Sequence, residues 1–174
     1  TVRLRDVGGS LLKTAQTDDQ GRYLFDGLAP GLYGVEEIQP YGYFDGVDVV
    51  GTEGGTLLAP DSIIDVTLVS GTDAEDYDFF EILPSSISGR VIADGNGNGL
   101  FDAPDLLLSG VTVRLRDAGG GLLKTAQTDD QGRYSFSGLA PGVYGVEEMQ
   151  PDGYFDGVDV VGTEGGTQLA PDSI

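Results

Sequence analysis

Apolar and polar residues alternate over short stretches along the whole chain. Residues 110–117 (GVTVRLRD) place Val111, Val113 and Leu115 on one face and polar or charged side chains on the other. A period of two is typical of a strand with one buried face. The same pattern, bounded by turns rich in Gly, Asp and Pro, predicts further strands at residues 63–69, 77–82, 86–93, 122–128, 133–136 and 143–150. Seven short strands without an amphipathic helix of useful length predict an all-β, immunoglobulin-like β-sandwich.

The chain contains an internal repeat. Residues 1–63 recur as residues 112–174, an offset of 111, and 55 of the 63 positions are identical. A period of this length is too long for ankyrin, leucine-rich or propeller repeats, and it suits a whole sandwich of about 100 residues. The sequence therefore predicts tandem β-sandwich repeats with a period of 111 residues.

Composition narrows the possible functions. The 174 residues include 29 acidic and 9 basic ones, for a net charge of −20, which disfavours nucleic acid and attracts cations such as Ca²⁺. The sequence has no Cys and no His, which excludes thiolate metal sites and Ser-His-Asp catalysis within this chain. No apolar run approaches the ~18 residues of a membrane span, so we expect no membrane insertion by this segment.

Residues 94–105 (DGNGNGLFDAPD) fit the twelve-residue pattern D-x-[DN]-x-[DN]-G-x₅-[DE] of a calcium-binding loop. Ca²⁺ takes six to eight hard oxygen ligands on a backbone that bends around it, and Gly99 allows the sharp turn at the sixth position. The predicted ligands are Asp94, Asn96, Asn98, the carbonyl of Leu100, Asp102 and Asp105. Because the last position is Asp instead of Glu, we expect weak binding, with a Kd of roughly 10⁻⁴–10⁻³ M. The alternative is an Asn-Gly and Asp-Gly turn that binds nothing.

A second acidic region follows the strand predicted at residues 143–150. Its members are Asp156, Asp159, Glu164 and Asp172, and they recur in the first copy as Asp45, Asp48, Glu53 and Asp61. Two interpretations stay open, another Ca²⁺ site and a solvated loop held by Asx-turns.

The repeat also predicts where the domains divide. Residues 1–84 form one sandwich that lacks its first strand and calcium loop, and residues 85–174 form a second sandwich that lacks its last two strands. Either the sequence is a window on a longer chain, or a neighbouring chain completes each half by strand addition.

Together these segments resemble the serine-aspartate-repeat (Sdr) B-like domain, a relative of the collagen-adhesin (Cna) B-type domain. The matching segments are SISGRV (86–91), DGNGNGLFDAPD (94–105), GVTVRL (110–115), TDDQGRYSFSGLAPGVY (128–144), QPDGYFDGVD (150–159) and DYDFFEI (76–82). The resemblance implies a prealbumin-like sandwich of secreted or surface-anchored proteins, serving as a stalk, spacer or adhesin body.

Many Cna B-type domains carry a Lys–Asn isopeptide bond, and this sequence departs from that pattern. Its only Lys residues are Lys13 and Lys124, its only Asn residues are Asn96 and Asn98, and the last predicted strand offers no Asn. We therefore expect no isopeptide bond, which leaves a metal ion to fasten the fold.

The leading functional prediction is a non-enzymatic structural module of an extracellular or cell-surface stalk, filament or adhesin, rigidified by Ca²⁺. Its expected partners are neighbouring repeats or identical chains in a head-to-tail assembly. The alternative is a module that binds polysaccharide or protein, for which the aromatic residues are Tyr41, Tyr43, Phe44, Tyr154 and Phe155. The sequence has no N-x-[ST] sequon, so any glycan would be O-linked.

Overall fold

The computed structural model describes residues 1–58 and 60–168, and the regular structure within these ranges consists of strands without a helix. None of the described residues forms a helix able to cross a membrane. The strands are β1 (Val2–Asp6), β2 (Leu11–Ala15), β3 (Gly31–Glu37), β4 (Phe44–Val49), β5 (Thr56–Leu58), β6 (Ser62–Leu68), β7 (Asp78–Ile82), β8 (Ser85–Arg90), β9 (Ile92–Ala93), β10 (Leu106–Leu107), β11 (Thr112–Asp117), β12 (Leu122–Gln127), β13 (Arg133–Leu139) and β14 (Tyr144–Glu148). The all-β prediction is confirmed.

The chain divides into two compact units, unit 1 at residues 1–84 and unit 2 at residues 85–174. In unit 1 an antiparallel sheet runs in the order β2-β1-β3-β6-β5, and β4 pairs with β7 in a second sheet. Phe79 of β7 packs against the buried side chains of the first sheet, among them Val2 and Ile63. Two antiparallel sheets facing one core form a sandwich of the immunoglobulin type.

Unit 2 is built from three antiparallel groups of strands, β12-β11-β14, β13-β8 and β10-β9. Its core joins the first two groups: Val113 and Leu115 of β11 are buried against Phe136 and Leu139 of β13. The alternation that predicted strand 110–117 is confirmed, because the inward residues of β11 are 0–1% exposed while its arginines reach the surface.

The strand predicted at residues 86–93 is wrong in one respect, because the structure divides it into β8 and β9 at Val91. The reason is a change of hydrogen-bonding partner. β8 pairs with β13, the Val91 N–H still donates to the Gly132 carbonyl at 2.8 Å, and the Val91 carbonyl accepts from Leu108 at 3.1 Å. β9 then pairs with β10.

Three strands escaped the sequence pattern, namely β4, β5 and β10. β4 reads FDGVDV, and its pairing with β7 shifts register between Asp45 and Asp48. A Cβ on Gly46, inside this irregularity, would lie 2.1 Å from the Phe80 carbonyl oxygen, so this position requires Gly. Without a side chain at Gly46 the alternation of apolar and polar residues is interrupted, and the sequence pattern does not reveal the strand.

Candidate metal centre

Residues 94–105 form the connection of a β-hairpin. The hairpin ladder is short, with Leu106 opposite Ala93 and Leu107 opposite Ile92. Two pairs of residues hold the ends of the loop together, so the loop's own polar contacts decide how firmly the hairpin is closed.

Asp94 is the hub of the loop. Its Oδ1 accepts hydrogen bonds from the backbone N–H of Gly97 at 2.6 Å and of Asn96 at 3.2 Å, and its Oδ2 accepts from Gly99 at 2.7 Å. These backbone donors, that of Gly99 first, hold the pKa of Asp94 below its ordinary value. Gly97 and Gly99 have φ near +70°, the left-handed region that lets the backbone fold around this carboxylate.

The side chains of Asn96, Asn98 and Asp102 meet. Asn96 Nδ2 lies 2.8 Å from Asp102 Oδ1, and Asn98 Nδ2 lies 2.9 Å from Asp102 Oδ2. The two amide oxygens accept from backbone N–H groups two residues further on, at 3.0 Å for Asn98 and 2.8 Å for Leu100. These contacts bring three of the predicted ligand side chains together.

Asp105 closes the loop from its other end. Its Oδ1 accepts from the Gly95 N–H and its Oδ2 accepts from the Asp102 N–H, both at 2.9 Å. Within residues 1–58 and 60–168, the loop carboxylates do not form a group of three whose oxygens all lie within 4.8 Å of one another. The structure therefore brings Asp102 to the two Asn residues, while Asp94 and Asp105 are engaged by backbone donors.

The loop residues fit a hard cation. Each carboxylate oxygen has two lone pairs, so an oxygen that accepts one N–H keeps a pair for a metal. The Asn96 and Asn98 amides point their nitrogens at Asp102, and each amide oxygen, which accepts one backbone N–H, likewise keeps a lone pair for a metal. A bound Ca²⁺ would then stand in place of these two amide–carboxylate hydrogen bonds.

Phe101 ties the loop to the first strand of unit 2. The Arg90 guanidinium carbon at the end of β8 lies 5.7 Å from the centre of the Phe101 ring, within the range of a cation–π contact. Order in the loop is thus coupled to the strand that pairs with β13.

The second acidic region is assembled in unit 1, and it contains residues that the sequence did not indicate. Carboxylate oxygens of Glu37, Asp61 and Glu81 lie within 4.8 Å of one another, as do those of Asp45, Asp48 and Asp61. We call these five residues the acidic cluster. Glu37 and Glu81 come from β3 and β7, and no local spacing connects them, so their contribution was missed.

Burial governs the electrostatics of the acidic cluster. Desolvation, followed by a hydrogen bond with Glu81, raises the pKa of Glu37 to about 7. Desolvation, followed by repulsion from Asp45, raises the pKa of Asp61 to about 6. Among the described residues, Glu37 Oε2 and Asp61 Oδ1 are buried without a hydrogen-bond partner. Glu37 and Asp61 therefore hold their protons more tightly than separate carboxyls would.

The corresponding residues of unit 2 are only partly described. Gln168 Nε2 donates to Asp159 Oδ2 at 3.3 Å, Asp156 and Glu164 are exposed, and Asp172 lies outside the described residues. The calcium interpretation of this region stays a prediction.

The sandwich units and their repeated sequence define a class, the tandem β-sandwich repeat module. The family model of the SdrD B-like domain matches residues 1–79 and 85–171, and the chain belongs to this family. The resemblance inferred from the motifs is thereby confirmed.

Relatives place the module at the cell surface. The chain is 37% identical over 155 residues to serine-aspartate repeat-containing protein D of Staphylococcus aureus (strain Newman), 34% identical over 165 residues to protein I of Staphylococcus saprophyticus and 32% identical over 155 residues to protein F of Staphylococcus epidermidis. These matches cover 87–88% of this chain, and the chain spans 8–12% of the length of each relative. The module is extracellular, part of a cell-surface repeat protein related to adhesins.

A solved structure, the Bacillus anthracis TIE protein, matches 86% of this chain and 24% of its own, with a TM-score of 0.29 and 18% sequence identity.

Proposed function

We propose that the chain is a structural spacer in an extracellular stalk, filament or adhesin, and that Ca²⁺ bound by residues 94–105 stiffens it. The observation that supports this proposal is the convergence of Asn96, Asn98 and Asp102 in a loop whose ends are held by Asp94 and Asp105. The side chains of these five residues and the carbonyl of Leu100 would hold the ion.

The ion would supply positive charge to a loop of carboxylates and would join the two ends of the hairpin. Without it, two residue pairs between β9 and β10 and the cation–π contact of Phe101 keep the loop against the unit. The chain's residues orient the oxygens, and Ca²⁺ makes their closure cooperative.

The structure offers a matched pair of aspartates for testing this. Asp129 belongs to the same unit as Asp94 and accepts backbone hydrogen bonds from Gln131 and Arg133 at 2.8 and 2.9 Å in an ordinary turn; it is exposed, whereas Asp94 is half-buried. Asp94→Ala and Asp129→Ala therefore remove the same charge and the same kind of contact. Only the first removes a proposed ligand.

The test is calorimetric unfolding of the full chain in excess chelator and in Ca²⁺. At a hundred times Kd a single ion adds ~2.7 kcal/mol, which raises Tm by roughly 10–20 °C for a unit of this size. We expect Asp94→Ala to lose this calcium-dependent rise in Tm and Asp129→Ala to keep it. Equal calcium responses of the two variants would refute the assignment of the loop.

Ligand binding is the second candidate, favoured by exposed aromatic side chains. Tyr41 and Phe155 are fully or almost fully exposed, at 103% and 97%. Binding of polysaccharides or host surface proteins is checked by a glycan and protein array, and loss of a signal in Tyr41→Ala or Phe155→Ala would support this candidate. We propose no catalysis, since the carboxylates of the 94–105 loop lie in turns beside Gly and Asn and the chain has no His or Cys; hydrolysis of any glycan by the pure chain would contradict this.

We further propose that one complete repeat comprises counterparts of all strands seen in either unit. Unit 2 contains β8, β9 and β10 before its shared strands, and unit 1 contains β6 and β7 after them. A complete repeat then extends from about Ser85 through the counterpart of Pro84. Such repeats would follow one another head to tail, and limited proteolysis of a longer chain should yield fragments that repeat every 111 residues.

A further inference from the structure

The 94–105 loop contains the only two Asn residues of the chain, Asn96 and Asn98, and each of them is followed by Gly. An Asn-Gly pair exposes its side-chain amide to attack by the backbone, because Gly has no side chain to keep its nitrogen away from the Asn carbonyl carbon. Asn96, Gly97 and Asn98 are exposed, so water reaches both pairs. The loop therefore carries the two residues of this chain that are best suited to spontaneous deamidation.

Deamidation is a ring closure followed by hydrolysis. The Gly nitrogen forms a bond to Cγ of the preceding Asn, and the amide nitrogen leaves as ammonia with the proton of the Gly N–H. Water then opens the five-membered succinimide ring at either carbonyl, which leaves Asp or its isoaspartyl isomer. In sum, water is consumed and ammonia is released, without oxidation or reduction.

Asp94 holds both nucleophiles of this reaction. Its Oδ1 accepts from the Gly97 N–H at 2.6 Å, and its Oδ2 accepts from the Gly99 N–H at 2.7 Å. Ring closure requires each nitrogen to give up this proton, and a nitrogen that gains negative charge beside a carboxylate is repelled by it. Asp94 therefore opposes the attack by both glycines.

The two amides under attack are each held at both ends. Asp102 accepts from Asn96 Nδ2 at 2.8 Å on Oδ1 and from Asn98 Nδ2 at 2.9 Å on Oδ2. The side-chain oxygen of Asn96 accepts from the Asn98 N–H at 3.0 Å, and that of Asn98 accepts from the Leu100 N–H at 2.8 Å. Ring closure turns each side chain toward its own backbone, so these hydrogen bonds must break first.

We propose that the two Asn-Gly pairs are coupled deamidation sites, which Asp94 and Asp102 protect while the loop is folded and which convert one after the other once it opens. The coupling follows from the shared carboxylates. Conversion of Asn96 replaces a donor to Asp102 with a second carboxylate, which repels Asp102 and loosens the partner that holds Asn98. Opening of the loop is thereby recorded in covalent form. This proposal does not depend on Ca²⁺.

The first experiment incubates the full chain in chelator at physiological temperature and pH, and follows its mass. Each conversion exchanges NH₂ for OH, and peptide fragmentation assigns the exchange to Asn96 or Asn98. A synthetic peptide of residues 92–107 (IADGNGNGLFDAPDLL) gives the rate for the same loop without the fold. We expect conversion in the chain to be slower by roughly tenfold or more, since each hydrogen bond to a charged group that must break contributes about this factor.

Substitutions test the two carboxylates separately. Asp94→Ala and Asp102→Ala should each speed conversion of both pairs by roughly tenfold, because each removes hydrogen bonds to a charged group. Asp129→Ala is the matched control, since it removes a carboxylate that accepts backbone hydrogen bonds in another turn of unit 2, and it should leave the rate unchanged. Hydrogen exchange in β11 reports whether unit 2 stays folded in each variant.

The coupling is tested in Asn96→Asp and Asn98→Asp, where the remaining Asn should convert severalfold faster than in the unsubstituted chain. The proposal is overturned if the chain converts as fast as the peptide, or if either carboxylate variant converts no faster than Asp129→Ala. It is equally overturned if the remaining Asn converts at its original rate in both Asn→Asp variants, because the two sites would then be independent.

Discussion

Phe25 and Phe136 occupy the same place in the repeat, and truncating each of them tests how much of the sandwich depends on β8. Phe136 is 3% exposed because β8 covers it, and Ile87 lies opposite. Phe25 packs against the corresponding core of unit 1, but no strand within the described residues covers it from the other side. We expect Phe136→Ala to destabilise unit 2 far more than Phe25→Ala destabilises unit 1.

The magnitudes follow from burial. Removing a fully buried Phe side chain costs ~3–5 kcal/mol, as the transfer term and the cavity add. A half-buried ring loses about half of the transfer term and leaves no closed cavity, so Phe25→Ala should cost roughly 1–2 kcal/mol. The expected difference is about 2 kcal/mol or more.

Hydrogen exchange with mass spectrometry measures the two units in one sample. Peptides that span residues 1–12 and 112–123 cover the same strands and differ in mass through Val7/Ala118 and Ser10/Gly121, so each unit reports its own free energy of opening. Equal losses in the two variants would refute the reasoning, since they would mean that β8 adds nothing to the burial of Phe136.

Three further predictions rest on other contacts. Gly51→Ala should destabilise unit 1 by ~1–3 kcal/mol in denaturant unfolding, because its Cβ would lie 2.0 Å from the Glu75 carbonyl oxygen. Gly162→Ala, at the matching position of unit 2, should be tolerated because its Cβ would have no atom within 4 Å. In chelator, unit 1 should gain stability as the pH falls from about 7 toward 4.5, because the raised pKa of Glu37 favours the protonated folded state; Glu37→Gln should flatten this dependence and Glu75→Gln should not. The measured mass of the intact chain should equal the mass calculated from its sequence, with no loss of ammonia. We expect no isopeptide bond, because Lys124 donates to the Ser137 carbonyl at 2.7 Å.

Each of these predictions has a result that would contradict it. Equal effects of the two Gly variants would mean that the close approach at Gly51 is relieved by movement of the backbone. A pH dependence that Glu37→Gln leaves undiminished would place its origin in Asp61, whose pKa is also raised, or in the general negative charge of the chain. A mass deficit of one ammonia that fragmentation locates on a Lys joined to an amide residue, and not on a succinimide at Asn96-Gly97 or Asn98-Gly99, would establish a cross-link.

Local pattern predicts much of this fold, because strand alternation and turn residues are short-range signals. β11 and β12 follow the predicted segments closely, since one face of β11 is buried and the turn between them is held by Asp117. β4 could not be predicted in the same way, since its Gly46 and its acidic residues interrupt the apolar period. Its pairing with β7 depends on a segment some thirty residues away.

The two candidate sites also differ in how far the local sequence predicts them. The 94–105 loop is contiguous, so local spacing alone brings the amides of Asn96 and Asn98 to Asp102, while its role as a metal site stays a prediction. The acidic cluster depends on β3 and β7 lying close to Asp61, and no local sequence rule brings Glu37 to Glu81. Burial, which raises the pKa of both Glu37 and Asp61, likewise belongs to the folded chain.

The two-pair ladder between β9 and β10 has a mechanical consequence. A pull that peels β8 from β13 reaches this hairpin next, where the pairs Ala93–Leu106 and Ile92–Leu107 and the Gly95–Asp105 hydrogen bond resist it. Once they part, residues 94–105 extend by roughly 40 Å while the buried strands β11 and β13 stay folded. Residues 94–105 therefore form a short reserve of length in unit 2 that yields under tension before its buried strands do.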